Sequence, residues 1–313
     1  MGMGVNMTQV NLKKLRADIN RRKLLNHGFA LLGIVIIMIA ILVLLSLTIQ
    51  MAVEGAERIS PDFFTSFPSR KPEKAGIYSA WIGTSLVMFV TAMAAVPLGV
   101  AAGIYLEEYA KKNWLADLIE INVTNLAGVP SIVYGLLALG LFIYRFHLGQ
   151  SILTAGLTLA LLILPVVIVT TREAIRAVPN SLREAAYALG ASKWQTVWDH
   201  ILPYSFGSIL TGIIIGLSRA VGQTAPLITI GALAFIAFLP EPPISGDFPF
   251  ISFAWINSPF TVMPIQMFNW VSRPQAAFAI NAAAAGTVLV VMTLGMNAIA
   301  IWLRYQLRKN IKW

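Results

Sequence analysis

Long apolar runs separated by short polar and charged stretches set the pattern of the chain. A helix needs about 20 residues to cross a hydrocarbon core about 30 Å thick. Six runs reach that length: Phe29–Val53, Ile77–Leu106, Leu118–Tyr144, Ser151–Thr171, Tyr204–Phe238 and Ala276–Leu303. Run length therefore predicts an all-α integral membrane protein with six transmembrane helices. The first run follows a basic arm, KKLRADINRRK. Its apolar core is too long for a secretory leader and lacks an Ala-x-Ala cleavage site, so it is expected to persist as a helix. Another uncharged stretch, Phe250–Trp270, holds Pro259, Pro264, Asn257, Gln266 and Asn269. Its polar content predicts a re-entrant or interfacial segment with Trp255 and Trp270 near the headgroups, against a seventh span.

Charge refines this picture. Charged residues are 12% of the chain, about half of what soluble domains carry. Cysteine is absent and the three histidines, His27, His147 and His200, are far apart, so disulfides, thiolate chemistry and a histidine metal site are excluded. With six spans both termini share one side. Sixteen of the 23 Lys and Arg residues then fall on that side and six on the other, with Arg219 inside a span. The bias places both termini in the cytoplasm, and the net charge of +9 reflects topology instead of nucleic-acid binding.

One polar stretch on the cytoplasmic side stands out, VPNSLREAAYALGASKWQTVWDHILP, residues 178–203. Ser181 and Glu184 have capping-box spacing, which predicts a helix from Leu182, and Gly190 suits the left-handed position that closes it. Leu182, Ala185, Ala186 and Leu189 make one helical stripe. Ser192 and Gln195 form a second capping box ahead of the stripe Trp194, Val197, Trp198, Ile201, and Pro203 is expected to end that helix. A loop this short has little core of its own, so both stripes call for a surface from elsewhere. The stretch reads as a docking element for a cytoplasmic partner.

Glu184, Ala185, Ala186, Gly190, Leu202 and Pro203 resemble the EAA loop of permease subunits of bacterial ABC importers, with His200 at a position that is usually aliphatic. AGVPSIVYGLLALG (127–140), LPVVIVTTREAIRAVP (164–179) and SRAVGQTAPLI (218–228) are similar to the PstA-type permeases of phosphate importers. The resemblance implies a type I permease fold in which the EAA loop is a coupling helix. It implies a PstC-type permease, an ATPase dimer, an extracytoplasmic phosphate-binding protein and an inner-membrane location. It also implies a permease domain over 77–304, preceded by an arm, span and loop (1–76) and followed by a basic tail (305–313). ATP would be hydrolysed by the partner; this chain has no Gly-x-x-x-x-Gly-Lys, HExxH or GxSxG sequence and calls for no cofactor.

The run 204–238 is too long for a straight crossing, and Gly222, Pro226 and Gly231 mark where it would break. Arg219 within it is the leading candidate for the anion pathway, since a cation at membrane depth is costly and rarely idle. The family motif has glutamate where this chain has Gln223, expected on the same helix face as Arg219 at i+4. Thr224, Ser131 and Thr84 are further hydroxyl candidates, and Pro130 and Pro165 are candidate hinges. A permease for molybdate, sulfate or another solute is the alternative. A self-sufficient carrier or channel is disfavoured, because the span interiors lack acid relays and the loop would have no role.

Overall fold

The computed structural model describes residues 12–111, 113–233, 235–242 and 252–309. It forms two compact units, Met1–Val53 and Glu54–Trp313. The first consists of most of α1 (Leu12–Ala56), whose apolar residues between Phe29 and Val53 are exposed almost throughout. A helix apolar all round over this length suits a membrane span.

The second unit is all helix among its described residues. It comprises α2 (Pro61–Thr65), α3 (Tyr78–Ile104), α4 (Trp114–Leu126), α5 (Ser131–Ala138), α6 (Ile152–Arg176), α7 (Asn180–Ala188), α8 (Lys193–Gln195), α9 (Leu202–Val221), α10 (Ala225–Thr229), α11 (Met263–Val271) and α12 (Ala277–Lys309). π-Helical turns extend α3 to Tyr109 and α5 to Arg145, and another joins α8 to α9. Five helices are long and apolar enough to cross a membrane, and α4 with α5 makes a sixth if that bent pair counts as one span.

α6 is the central helix. Ile163, Val167 and Ile175 are fully buried along it, and Thr91 of α3 donates to the Gly156 carbonyl at 3.2 Å. α9 packs on its other side, where any Cβ at Gly212 would collide with Thr170. With no hydrophobic drive between helices in lipid, such small-residue contacts supply the packing. α3 and α6 both end at one pole, where Glu107 meets Arg172 and Arg176; this is the charged end. At the other pole residues 54–77 fold as a cap. Phe63 stacks near Trp270 at 6.1 Å, and Arg58 donates to Asn281 Oδ1 (3.1 Å) and to the Glu73 and Ala75 carbonyls. The cap thus belongs with the second unit.

Three expected elements differ. The run 118–144 is not a straight span: α4 and α5 meet at 107°, because residues 127–130 end one helix and Pro130 can only start the next. The run 204–238 breaks at Gly222 as expected and resumes only as the short α10, while its N-terminal end extends back to Lys193 as one 29-residue span. Pro203 does not divide it. The π turn makes i→i+5 bonds, such as Leu202 N–H to the Val197 carbonyl, and sits where proline cannot donate. The stretch 250–270, whose residues 250 and 251 lie outside the described residues, holds a 3-10 turn (Ala254–Asn257) and nine-residue α11, about 13 Å long and, as expected, too short to cross. Trp255 and Trp270 are 5% and 0% exposed, so they fill protein cores instead of a headgroup layer. α12 continues through the basic tail to Lys309; residues 310–313 lie outside the described residues.

Candidate functional site

The EAA stretch forms a helical hairpin at the charged end. α7 begins at Asn180, with Pro179 as the N-cap residue in an extended conformation (ψ 137°) and no side-chain cap. The expected Ser181–Glu184 box does not form, because proline already sets the helix start two residues earlier. The hairpin turn matches expectation. Gly190 has φ +82°, its N–H reaches the Tyr187 carbonyl (2.9 Å), and Ala191 N–H reaches the Ala186 carbonyl (3.1 Å). This is a Schellman motif closing α7. The second capping box also forms: Ser192 N–H donates to Gln195 Oε1 at 2.8 Å and Gln195 N–H to Ser192 Oγ at 3.3 Å.

Each expected stripe splits in two. Leu182 and Ala186 turn inward, as do Val197 (2% exposed) and Ile201 (0%). Ile175, Val178, Val197 and Ile201 make a small core, with Leu182 packed on it beside Ile104 and Tyr109 at the end of α3. The hairpin therefore does have a surface of its own, supplied by α3 and α6. What faces outward is Glu184, Ala185, Tyr187 and Leu189, the last 90% exposed, and the Trp194–Trp198 pair stacked at 5.5 Å. Leu202 is half-buried against the same core and Pro203 is half-buried in the first turn of α9.

Charges hold this hairpin in place, and sequence reasoning missed them. Arg183 donates twice to Glu108 Oε1 (2.7 and 3.0 Å), and also to the Ile175 and Val178 carbonyls and to Asn180 Oδ1. Beside it Arg172 pairs with Glu107 (3.3 Å) and Glu120 (2.8 Å), while Arg176 pairs with Glu107 (3.0 Å). Opposite charges at consecutive span ends were the available signal, but which acid meets which arginine depends on helix order around the bundle.

The pathway candidates scatter. Arg219 lies exposed in the last turn of α9, where a cation suits the negative end of the helix dipole, and it makes no ion pair among the described residues. Gln223 does not share its helix face. α9 ends with Gly222 as C-cap, and Gln223 and Thr224 sit half-buried in the break before α10. Ser131 is half-buried in the first turn of α5. That helix packs directly on α10, since a Cβ at Gly135 would collide with Pro226 and Thr229. Gln223 and Thr224 thus lead from the end of α9 into the α5–α10 contact, with Arg219 in the helical turn before the break. Thr84 is elsewhere and committed: its hydroxyl donates to the Ala80 carbonyl (2.8 Å) and accepts from Met263 N–H (2.9 Å). It anchors the start of α11 and has no donor left for an anion. Pro130 stands at the α4–α5 bend, whereas Pro165 is inside unbroken α6. Among the described residues no cluster of acids and histidines could hold a metal.

Comparison with known proteins gives the class. Residues 95–313 match the family model for the binding-protein-dependent transport system inner membrane component. The chain is 31% identical over 274 residues to the probable ABC transporter permease protein YqgI of Bacillus subtilis, covering 86% of this chain and 91% of that one. It is 33% identical over 256 residues to the phosphate transport system permease protein PstA of Yersinia pestis, covering 79% of each. The fold also resembles a chain of a solved bacterial alginate ABC transporter in complex with its alginate-bound periplasmic protein, with TM-score 0.63, 16% identity, and coverage of 95% and 99%. The chain belongs to the family of binding-protein-dependent transport system inner membrane components. It is a multi-pass permease subunit of a bacterial ABC importer, and it carries no catalytic centre.

Proposed function

We propose that this permease imports phosphate, working beside a PstC-type permease with an ATPase dimer and an extracytoplasmic phosphate-binding protein. The PstA similarity over 256 residues carries the reading, and Arg219 gives it chemistry. A guanidinium with no acid partner among the described residues, in the turn before the break that holds Gln223 and Thr224, offers an anion charge and hydrogen-bond donors together. The exposed face of α7 and the Trp194–Trp198 pair form the coupling surface for the ATPase, with Glu184, Ala185, Ala186 and Gly190 setting its shape. On this reading the charged end and both termini are cytoplasmic. Residues 77–304 are the permease domain, after the 1–76 arm, span and loop and before the 305–313 tail.

The test is uptake by the transporter reconstituted with its partners. Phosphate should be imported in preference to sulfate and molybdate; import of sulfate or molybdate without phosphate overturns the substrate. Arg219→Gln should abolish uptake while leaving assembly intact, and Arg219→Lys should retain a measurable fraction. Wild-type phosphate uptake by an assembled Arg219→Gln variant would remove Arg219 from the pathway.

A further inference from the structure

α4 is a complete helix that does not behave as part of a span. Asn113 caps it, its side-chain oxygen accepting from Ala116 N–H at 2.9 Å, and its 13 residues reach about 20 Å, short of the hydrocarbon core. The bend of 107° sets it nearly at right angles to α5, and none of its residues is buried. At 100° per residue its apolar side chains gather towards one side, which Asn122 and Asn125 share and at whose margin Ile121 stands. Trp114, Leu115, Leu118, Ile119 and Leu126 share one face, each between 41% and 75% exposed. Asp117, Glu120 and Thr124 share the opposite edge.

The polar edge is moored. Glu120 pairs with Arg172 at 2.8 Å and with Arg176 at 3.6 Å, across a cleft of about 530 Å³ that Glu107, Lys111 and Asp117 also line. That mooring fixes the depth of α4. Glu107 and Arg172 stand at the ends of α3 and α6, so α4 lies level with the point where two spans leave the bilayer. An apolar face turned away from the protein at that depth meets the boundary between acyl chains and headgroups, where tryptophan is favoured. Asn122, within this face, donates to the Leu118 carbonyl at 2.7 Å. Glu120 is occupied by the two arginines.

We propose that α4 is an interfacial helix. It lies in the leaflet at the charged end, its apolar face in the acyl–headgroup boundary of the lipid, held to the bundle by Glu120, Arg172 and Arg176. The placement is independent of the solute transported.

The lack of cysteine makes the test direct. Single cysteines replacing Leu115, Ile119, Asn122 or Leu126 would each carry a bimane label. The full chain would be studied in vesicles of phosphatidylethanolamine and phosphatidylglycerol, with nitroxide quenchers at known acyl depths, each variant first being shown to be monodisperse. All four labels should be quenched, at depths within a few Å of one another and near the headgroups. A helix crossing the bilayer would instead spread residues 115 and 126 by about 16 Å in depth, at about 1.5 Å per residue. Such a gradient overturns the proposal. So does the absence of quenching at every depth, which would mean that protein covers this face.

Discussion

Breaking the Arg183–Glu108 pair should loosen the coupling hairpin more than any change on its exposed face. Glu108 is 6% exposed at its side chain and Arg183 15%, and the arginine also serves the Ile175 and Val178 carbonyls. Arg183→Met leaves a carboxylate buried without compensation, which typically costs about 3–5 kcal/mol. The residual exposure of Arg183 argues for the lower part of that range. Replacing both partners, as in Glu108→Leu with Arg183→Met, removes the orphaned charge and should recover about half of the loss. The two carbonyls still lose their donor, so recovery is incomplete. Thermal unfolding of the purified complex would supply the double-mutant cycle, and transport per ATP hydrolysed would report coupling. Arg183→Met should lower both stability and coupling, with a favourable interaction of at least about 1.5 kcal/mol in the cycle. Strict additivity of the two substitutions, or an Arg183→Met variant as stable as wild type, would refute the assignment.

Gly190 offers a graded test of the hairpin turn. Nothing lies near an added Cβ, so Gly190→Ala should cost only the left-handed backbone strain of about 1 kcal/mol and keep co-purification with the ATPase. Gly190→Pro cannot adopt φ +82° and loses the bond to Tyr187, so it should insert normally but fail to bind the ATPase in a pull-down. A cysteine replacing Ser192 should resist an impermeant thiol reagent in intact cells and react once the membrane is opened; labelling in intact cells would reverse the topology.

Much of the architecture was legible in the chain itself because lipid imposes a simple rule, that backbone polar groups be satisfied within each helix. Long apolar runs and the second capping box are local consequences of that rule and of hydrogen-bond chemistry, and Gly190 declares its own backbone conformation. The family resemblance rested on the same short-range spacing. Tertiary structure decided what depends on which helix stands beside which. Leu182 faces a core to which α3 contributes from some 75 residues upstream and α6 from the adjoining span. Thr84 looked like a free hydroxyl until Met263, 179 residues away, was found bonded to it. Gln223 lost its place on the Arg219 helix face because α9 ends at Gly222, one residue before it. The ion pairs of the charged end follow the same logic. Composition can count acids and arginines at span ends, but Coulomb energy falls with distance, and only the bundle's order of helices sets those distances.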